Sequence, residues 1–532
     1  MTSLVADDRG SGWPADAAYV VATFAAFAVA DRLTQAMAKL EASDLGHGSL
    51  LVASASNRWW LYLVSALALA GGLVLRGRWL LAPWEVLEQG AVLRKLATPL
   101  VVWLTWNSSL YDFNFWADQF HGSDRLIVAG LGVAAIVRPV FLIPFVVQVR
   151  TISQQFLFPF DTSASNDIDE LLILALLALA AGHLVCVISR RQETSPVLLV
   201  IGAAVGSHFF VSGRAKLGLD WLATNDLSDL PLASYVAGWM GSTGGAFAQR
   251  LADGYAVLGR PALLATLGLE LGAIVAVLHP RLLQFWLPGW IGLHVVTFAT
   301  TGVLHLGWAL LEIGLLVIVT SSRYKDWIYD NITPPRAVIT GVAVLAGPIL
   351  FHPPTMAWLD GPISYGYEVE AVGESGTPYH VPISAFTPLD AELALTRLEL
   401  GPVPLTGPRG AVTDSDELVE LRAITDFDTI LVLEEAQDPP SLVEESQAFV
   451  LAFFDHANND ERGPWWTSLG RPSHFWTSRD DPEFGFDEPL TSLDVVLVTA
   501  IHGDNEPVSY RRTVLSVGRD QGGKGVVVAP RP

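Results

Sequence analysis

From Ala17 to Phe351 the apolar residues come in long runs; beyond Phe351 they come in short, alternating ones. A helix needs about 20 predominantly apolar residues to cross a bilayer, so the long runs read as membrane spans. The candidates are Ala17–Ala30, Trp59–Leu75, Leu96–Leu110, Leu126–Val137, Val140–Val149, Leu171–Ile188, Val197–Leu217, Pro261–Leu278, Trp286–Gly302, Leu306–Thr320 and Ala337–Phe351. Arg138-Pro139 and Pro144 interrupt the stretch Leu126–Val149, which reads as one kinked span or as a re-entrant hairpin. The pattern predicts a polytopic α-helical membrane bundle of about nine to eleven helices, over residues 1–352.

Residues 353–532 predict a separate, β-rich soluble domain. Tyr365–Val372 alternates, Glu374-Ser-Gly makes a turn, and Pro378–Ile383 pairs back as a hairpin. Thr429–Leu433, Val495–Thr499 and Arg512–Val517 read as further strands, while Ser446–Phe454 suits a strand or a helix. Trp465, Trp466 and Trp476 lie among Pro464, Pro472 and Pro482, a pattern that predicts a long ordered loop.

Charge sharpens this division. The chain of 532 residues carries a net charge of −22, and Pro353–Pro532 holds 30 acidic against 11 basic residues. So acidic a segment is not expected to bind nucleic acid. Lys is scarce beside Arg, a composition that fits a high-salt habitat or a GC-rich genome. The single cysteine, Cys186, leaves no intrachain disulfide and no multi-cysteine metal site. The first run, with no cleavable leader pattern, is expected to serve as the insertion signal. With Leu126–Val149 as a hairpin, Arg76, Arg78, Arg94, Lys95, Arg190, Arg191, Arg281, Arg323, Lys325 and Arg336 share one side of the membrane, while Arg150 and Arg250 fall on the other. The positive-inside rule then predicts a multi-pass cell-membrane protein with a cytoplasmic N-terminus and an extracytoplasmic tail.

Ionisable groups inside an apolar span are costly and so become functional candidates; the plainer alternatives are snorkelling and interhelical hydrogen bonding. His208, Ser212 and Lys216 recur every fourth residue and share one helix face. Lys216 is the one lysine within any span. Facing the bundle interior, its amine would be desolvated and able to serve as a general base; near the helix end it would snorkel. Glu270 sits mid-span, where a short acidic side chain cannot reach the headgroups. His294, Thr297, Thr301 and His305 make a polar stripe if their helix is continuous, suited to interhelical bonding, proton transfer or quinone contact. No carboxylate or third histidine stands at metal-ligand spacing, so no metal is expected. The stretch Asn107–Trp116, followed by Asp118-Gln-Phe-His121, mixes aromatic and amide groups as an interfacial belt or a pocket mouth would.

The segment Phe209-Phe-Val-Ser-Gly213-Arg-Ala-Lys216-Leu217-Gly-Leu-Asp220-Trp221 resembles a signature of the vitamin K-dependent gamma-carboxylase family. Prokaryotic relatives of that family are the horizontally transferred transmembrane (HTTM) domain proteins. The shared elements are the aromatic pair, the Gly, Lys-Leu three residues on, and Asp-Trp. Glu270 in an apolar helix, Gly292-Leu-His294 and His121 ahead of an apolar run extend the resemblance over residues 60–325. Gln119-Phe120 precede His121 where the family has paired Asn, and the acidic tail has no counterpart of the animal enzyme's substrate-binding region.

The resemblance implies a membrane-embedded, quinone-dependent carboxylase-like lyase. Lys216 would be the base acting on a reduced quinone of the vitamin K or menaquinone type, and His121 a second catalytic residue. His294 and Glu270, with His208 and Trp221, would form the cofactor-binding pocket. Oxygen and carbon dioxide would be co-reactants, leading to γ-carboxylation of protein Glu. Partners would be the lipid bilayer and a protein or peptide substrate on the extracytoplasmic side. Two other readings stand beside it: a non-catalytic or transport-type membrane protein with an extracellular interaction domain, and a quinol oxidoreductase without carboxylation.

Overall fold

The computed structural model describes residues 13–38, 80–110, 122–157, 164–189, 195–222, 226–240, 245–350, 361–386, 389–406, 415–438, 440–459, 487–502 and 508–528, with isolated positions between them. Most of the run Trp59–Leu75, the interfacial stretch from Tyr111 to His121, and Trp465, Trp466 and Trp476 lie outside the described residues.

The helices that frame the N-terminal part are α1 (Trp13–Ala38), α2 (Gly90–Leu110), α3 (Gly122–Val137), α4 (Leu142–Leu157), α5 (Ala164–Ser189), α6 (Ser195–Gly218), α7 (Asp229–Val236), α8 (Gly245–Leu271), α9 (Pro280–Thr301), α10 (Leu306–Thr320) and α11 (Pro334–Leu350). Four of the described helices are long and apolar enough to cross a membrane, over Pro14–Thr34, Asp169–Val187, Val197–Gly218 and Pro280–Thr301, and Leu306–Thr320 and Pro334–Ile349 are shorter apolar helices. The two α5 and α6 spans are largely buried, as helices apolar all round should be, whereas α9 leaves Phe285, Val295 and Val296 exposed.

Proline and glycine account for the departures from the expected spans. Leu126–Val149 is two packed helices of 16 residues each, α3 and α4. Arg138 before Pro139 is extended (φ −141°), because a proline ring excludes helical geometry from the residue ahead of it. The freed Arg138 side chain donates to the carbonyl of Leu81. The helix expected from Pro261 begins at Gly245 and bends at Gly259, whose φ of 35° is left-handed backbone that a side chain would strain.

The C-terminal part is a five-stranded antiparallel sheet of order β2-β1-β3-β4-β5, with strands Ile363–Gly373, Pro378–Val381, Leu490–Ile501, Val508–Arg519 and Gly525–Val528 numbered in chain order. Val372 pairs with Pro378 in the expected hairpin, and Val369 pairs with Val495 in the sheet centre. The sheet is accompanied by helices. Thr429–Leu433, expected as a strand, lies in the helix Phe427–Glu435. Asp426 caps that helix by accepting from the Thr429 amide and hydroxyl, and this local cap prevails over the strand propensity of the run. Ser446–Phe454 is likewise helical, within α12 (Val443–Asn458).

Alternation divides the sheet into two buried faces. Tyr367, Val369, Val495 and Leu497 join Phe449 and Phe453 of α12 in one core. The opposite face meets α7, where Val236 packs with Val496, Val498 and Ala500. Gly366 is needed at this contact: a Cβ there would stand 2.1 Å from the Val236 carbonyl oxygen. The first core extends into Leu219 and Trp221 after α6, Val303 after α9, and Phe160, whose ring meets Phe449 edge-on at 6.1 Å. His502, at the end of β3, is buried against the Ser364 hydroxyl at 2.9 Å, and burial holds its imidazole down from 6.5 to about 4.

The helix ends away from the sheet carry cations. Arg281, opening α9, donates to the Tyr329 hydroxyl (3.3 Å), and the Lys325 ammonium lies 5.9 Å from the Tyr329 ring centroid. Arg336, opening α11, pairs with Asp16, near the start of α1, at 2.7 Å.

Candidate functional site

The chemistry gathers where α6, α8, α9 and α10 meet. The four-residue spacing of His208, Ser212 and Lys216 holds in α6, and all three line a cavity of about 420 Å³. Gly213, on the neighbouring strip of α6, lets α8 come close: a Cβ there would meet Glu270 Cβ at 2.9 Å and Leu271 at 3.1 Å. That approach brings Lys216 Nζ to 2.8 Å from Glu270 Oε1, an ion pair whose side chains are 7% and 5% exposed. The same ammonium lies 5.2 Å from the centroid of the Trp221 ring, within cation–π range. Glu270 Oε2 is buried with no hydrogen-bond partner among the described residues.

A second pair lies deeper. His294 Nε2 on α9 contacts Glu312 Oε1 on α10 at 3.0 Å, with Glu312 fully buried. His294 lines the same cavity as Lys216 and Glu270, so the two pairs border one space. Trp308 collects the imidazoles: its ring centroid is 5.1 Å from that of His208, 5.8 Å from His294 and 5.3 Å from His305. The expected stripe from His294 to His305 is not continuous helix. Gly302 caps α9 in left-handed geometry (φ 72°), and His305 returns to the site from the connection to α10. Its ring is still 5.4 Å from His294.

Thus His208, Lys216, Trp221, Glu270 and His294, singled out from the sequence, all line one cavity. His121 lies outside the described residues. Glu312 was not anticipated, yet a carboxylate in the middle of the apolar run Leu306–Thr320 is the same signal that marked Glu270. Among the described residues no group of three or more His, Cys, Asp or Glu side chains is placed to hold a metal ion.

The cavity opens sideways between α8 and α9. Ala265, Gly292 and Val296 line it and are also exposed on the outer surface. At one end the helices are fastened by Trp286 and Trp290, whose indole N–H groups both donate to the Leu269 carbonyl (3.2 and 3.0 Å). At the other end Tyr255 interacts with the side chain of Thr300. Val296, on a helix of membrane-spanning length, therefore borders the cavity and is exposed, beside exposed Val295.

These features define a class: a helical protein with apolar helices of membrane-spanning length, built around a laterally open cavity with a buried acid–base pair in its wall. Comparison of the chain with protein-family models, with curated proteins and with solved structures gave no match.

Proposed function

We propose that this chain is a multi-pass membrane protein that carries out acid–base chemistry on a reduced quinone, in the manner of the carboxylase family its Lys216 motif resembles. One observation carries the reading: the buried Lys216–Glu270 pair lines a cavity whose mouth opens between α8 and α9 beside exposed apolar side chains. A cavity of about 420 Å³ is of ligand-binding size. Its residues fit an apolar ring bearing a hydroxyl group: Trp221 forms part of the wall, Lys216 is a donor and Glu270 Oε2 an open acceptor. Bound there, a reduced quinone would supply the reducing power that the resemblance implies for activating oxygen. Lys216, Glu270 and His294 would orient the hydroxyl and hold its proton; the motif by itself implies Lys216 as the base. The dry surroundings would keep competing water away.

The bundle would complete about nine to eleven spans. The cations at Arg281, Lys325 and Arg336, of which Arg336 is paired with Asp16 near the start of α1, support a cytoplasmic N-terminus and an extracytoplasmic tail. A peptide substrate would then approach from the sheet side.

The test is binding of reduced menaquinone to the purified full chain, wild type against Lys216→Ala at matched folding. Saturable binding that weakens in the variant is expected; a well-folded wild type that binds none would overturn the reading. Carbon dioxide dependence of turnover would then separate carboxylation from plain quinol oxidation. A second reading is favoured by the way both ion pairs join different helices, α6 to α8 and α9 to α10. On that reading they are interhelical ties in a non-catalytic or transport-type protein, and their loss would unfold the bundle.

A further inference from the structure

We propose that within the Lys216–Glu270 pair the proton acceptor is Glu270, through Oε2, and that Lys216 acts as a fixed cation holding the oxygen from which the proton leaves. This assignment rests on the proposed reading and divides its labour differently from the motif alone.

Two contacts of Lys216 suit a cation. Its Nζ donates to Glu270 Oε1 at 2.8 Å and lies 5.2 Å from the Trp221 ring centroid. Both contacts stabilise a cation and do little for a neutral amine. An ammonium has no lone pair and cannot accept a proton. The open lone pairs of the pair belong to Glu270 Oε2, which is buried and has no partner among the described residues, on a side chain lining the cavity. A buried carboxylate oxygen left without a donor is costly unless something completes it, and a substrate hydroxyl would.

The step balances simply. The O–H bond of the bound aromatic alcohol breaks and its proton goes to Glu270 Oε2. The bonding electrons stay on the substrate oxygen, which takes over the negative charge that Glu270 loses on becoming a neutral acid, and the Lys216 ammonium now attracts that oxygen. Such preorganised charge needs no rearrangement when the proton moves.

Arginine separates the two assignments, because it keeps the cation and cannot serve as a base. The full chain in lipid nanodiscs would be given reduced menadione and air, with oxygen uptake as the rate and tryptophan quenching as the binding control. Lys216→Arg is expected to keep uptake within about tenfold, and Glu270→Gln to lose about a hundredfold or more while still binding. Glu270→Ala covers the case in which the Gln variant packs badly: added formate should restore uptake, and formamide, of the same shape but neutral, should not. The assignment is overturned if Lys216→Arg loses uptake as fully as Glu270→Gln while both still bind, if Glu270→Gln keeps its rate, or if formamide rescues as well as formate. A wild type that neither binds nor oxidises reduced menadione would refute the quinone reading itself, and this assignment with it.

Discussion

The Lys216–Glu270 pair sets a stability experiment whose size follows from its geometry. At 2.8 Å and an effective dielectric constant of about 20, Coulomb attraction is about 6 kcal/mol before desolvation is subtracted. With side chains 7% and 5% exposed, solvent screening gives no reason to discount it as one would a surface pair. Removing one member leaves the other buried and uncompensated, which costs about 3–5 kcal/mol, whereas removing both is often near neutral. The perturbations are therefore Lys216→Met, Glu270→Gln and the double variant, with unfolding followed by tryptophan fluorescence in one detergent. Each single variant should be destabilised by several kcal/mol, and the double variant should recover most of that loss. If the two single costs simply add in the double variant, within about 0.5 kcal/mol, the groups do not interact as their geometry states and the reasoning fails. The double variant also separates structure from chemistry. A well-folded double variant that no longer binds reduced menaquinone would show that the pair serves the cavity more than the fold.

Two further outcomes concern the sheet. Gly366→Ala should cost about 1–3 kcal/mol or more, because overpacking here meets backbone and not a movable side chain; the obstructing atom is the Val236 carbonyl oxygen, 2.1 Å from the new Cβ, and an unchanged unfolding midpoint would refute the contact. His502 has its imidazole held at about 4 in the fold against 6.5 when free. The unfolded chain therefore binds a proton first, so the stability of the neutral, buried form is present above pH 6.5 and is lost as the pH falls toward 4, by about 3 kcal/mol in all. His502→Gln should flatten that part of the acid-unfolding curve, and parallel curves for wild type and variant would refute it.

Sequence and structure agree where one physical rule acts alone. Lys216, His208 and Glu270 were legible because an ionisable group in an apolar helix needs a partner, and helical spacing says which face it occupies. The central strands were legible from alternation at Tyr365–Val372 and Val495–Thr499. Errors arise where a local geometric signal overrides the periodic one. Gly302 ends α9 in left-handed backbone and takes His305 off the stripe, while Asp426 turns a strand-like run into a helix. The pairing of His294 with Glu312 could not be read from the chain at all, because it depends on how α9 and α10 pack. Glu312 nevertheless carried the signal that marked Glu270, and only the absence of a surrounding motif left it unnoticed.

The line between the two halves was drawn by charge and hydropathy at residues 352 and 353, and packing does not follow it. Trp221, Leu227 and Val303 line the cavity and also belong to the core that continues into Tyr365, Tyr367 and Leu497 of the sheet. Hydropathy sees only that the strands alternate and the helices do not; it cannot see that both bury into the same core. Trp221 is at once the ring facing the Lys216 ammonium and a residue of that shared core. The position of the ring, and with it one of the two contacts that hold Lys216 as a cation, is therefore set partly from the acidic half of the chain.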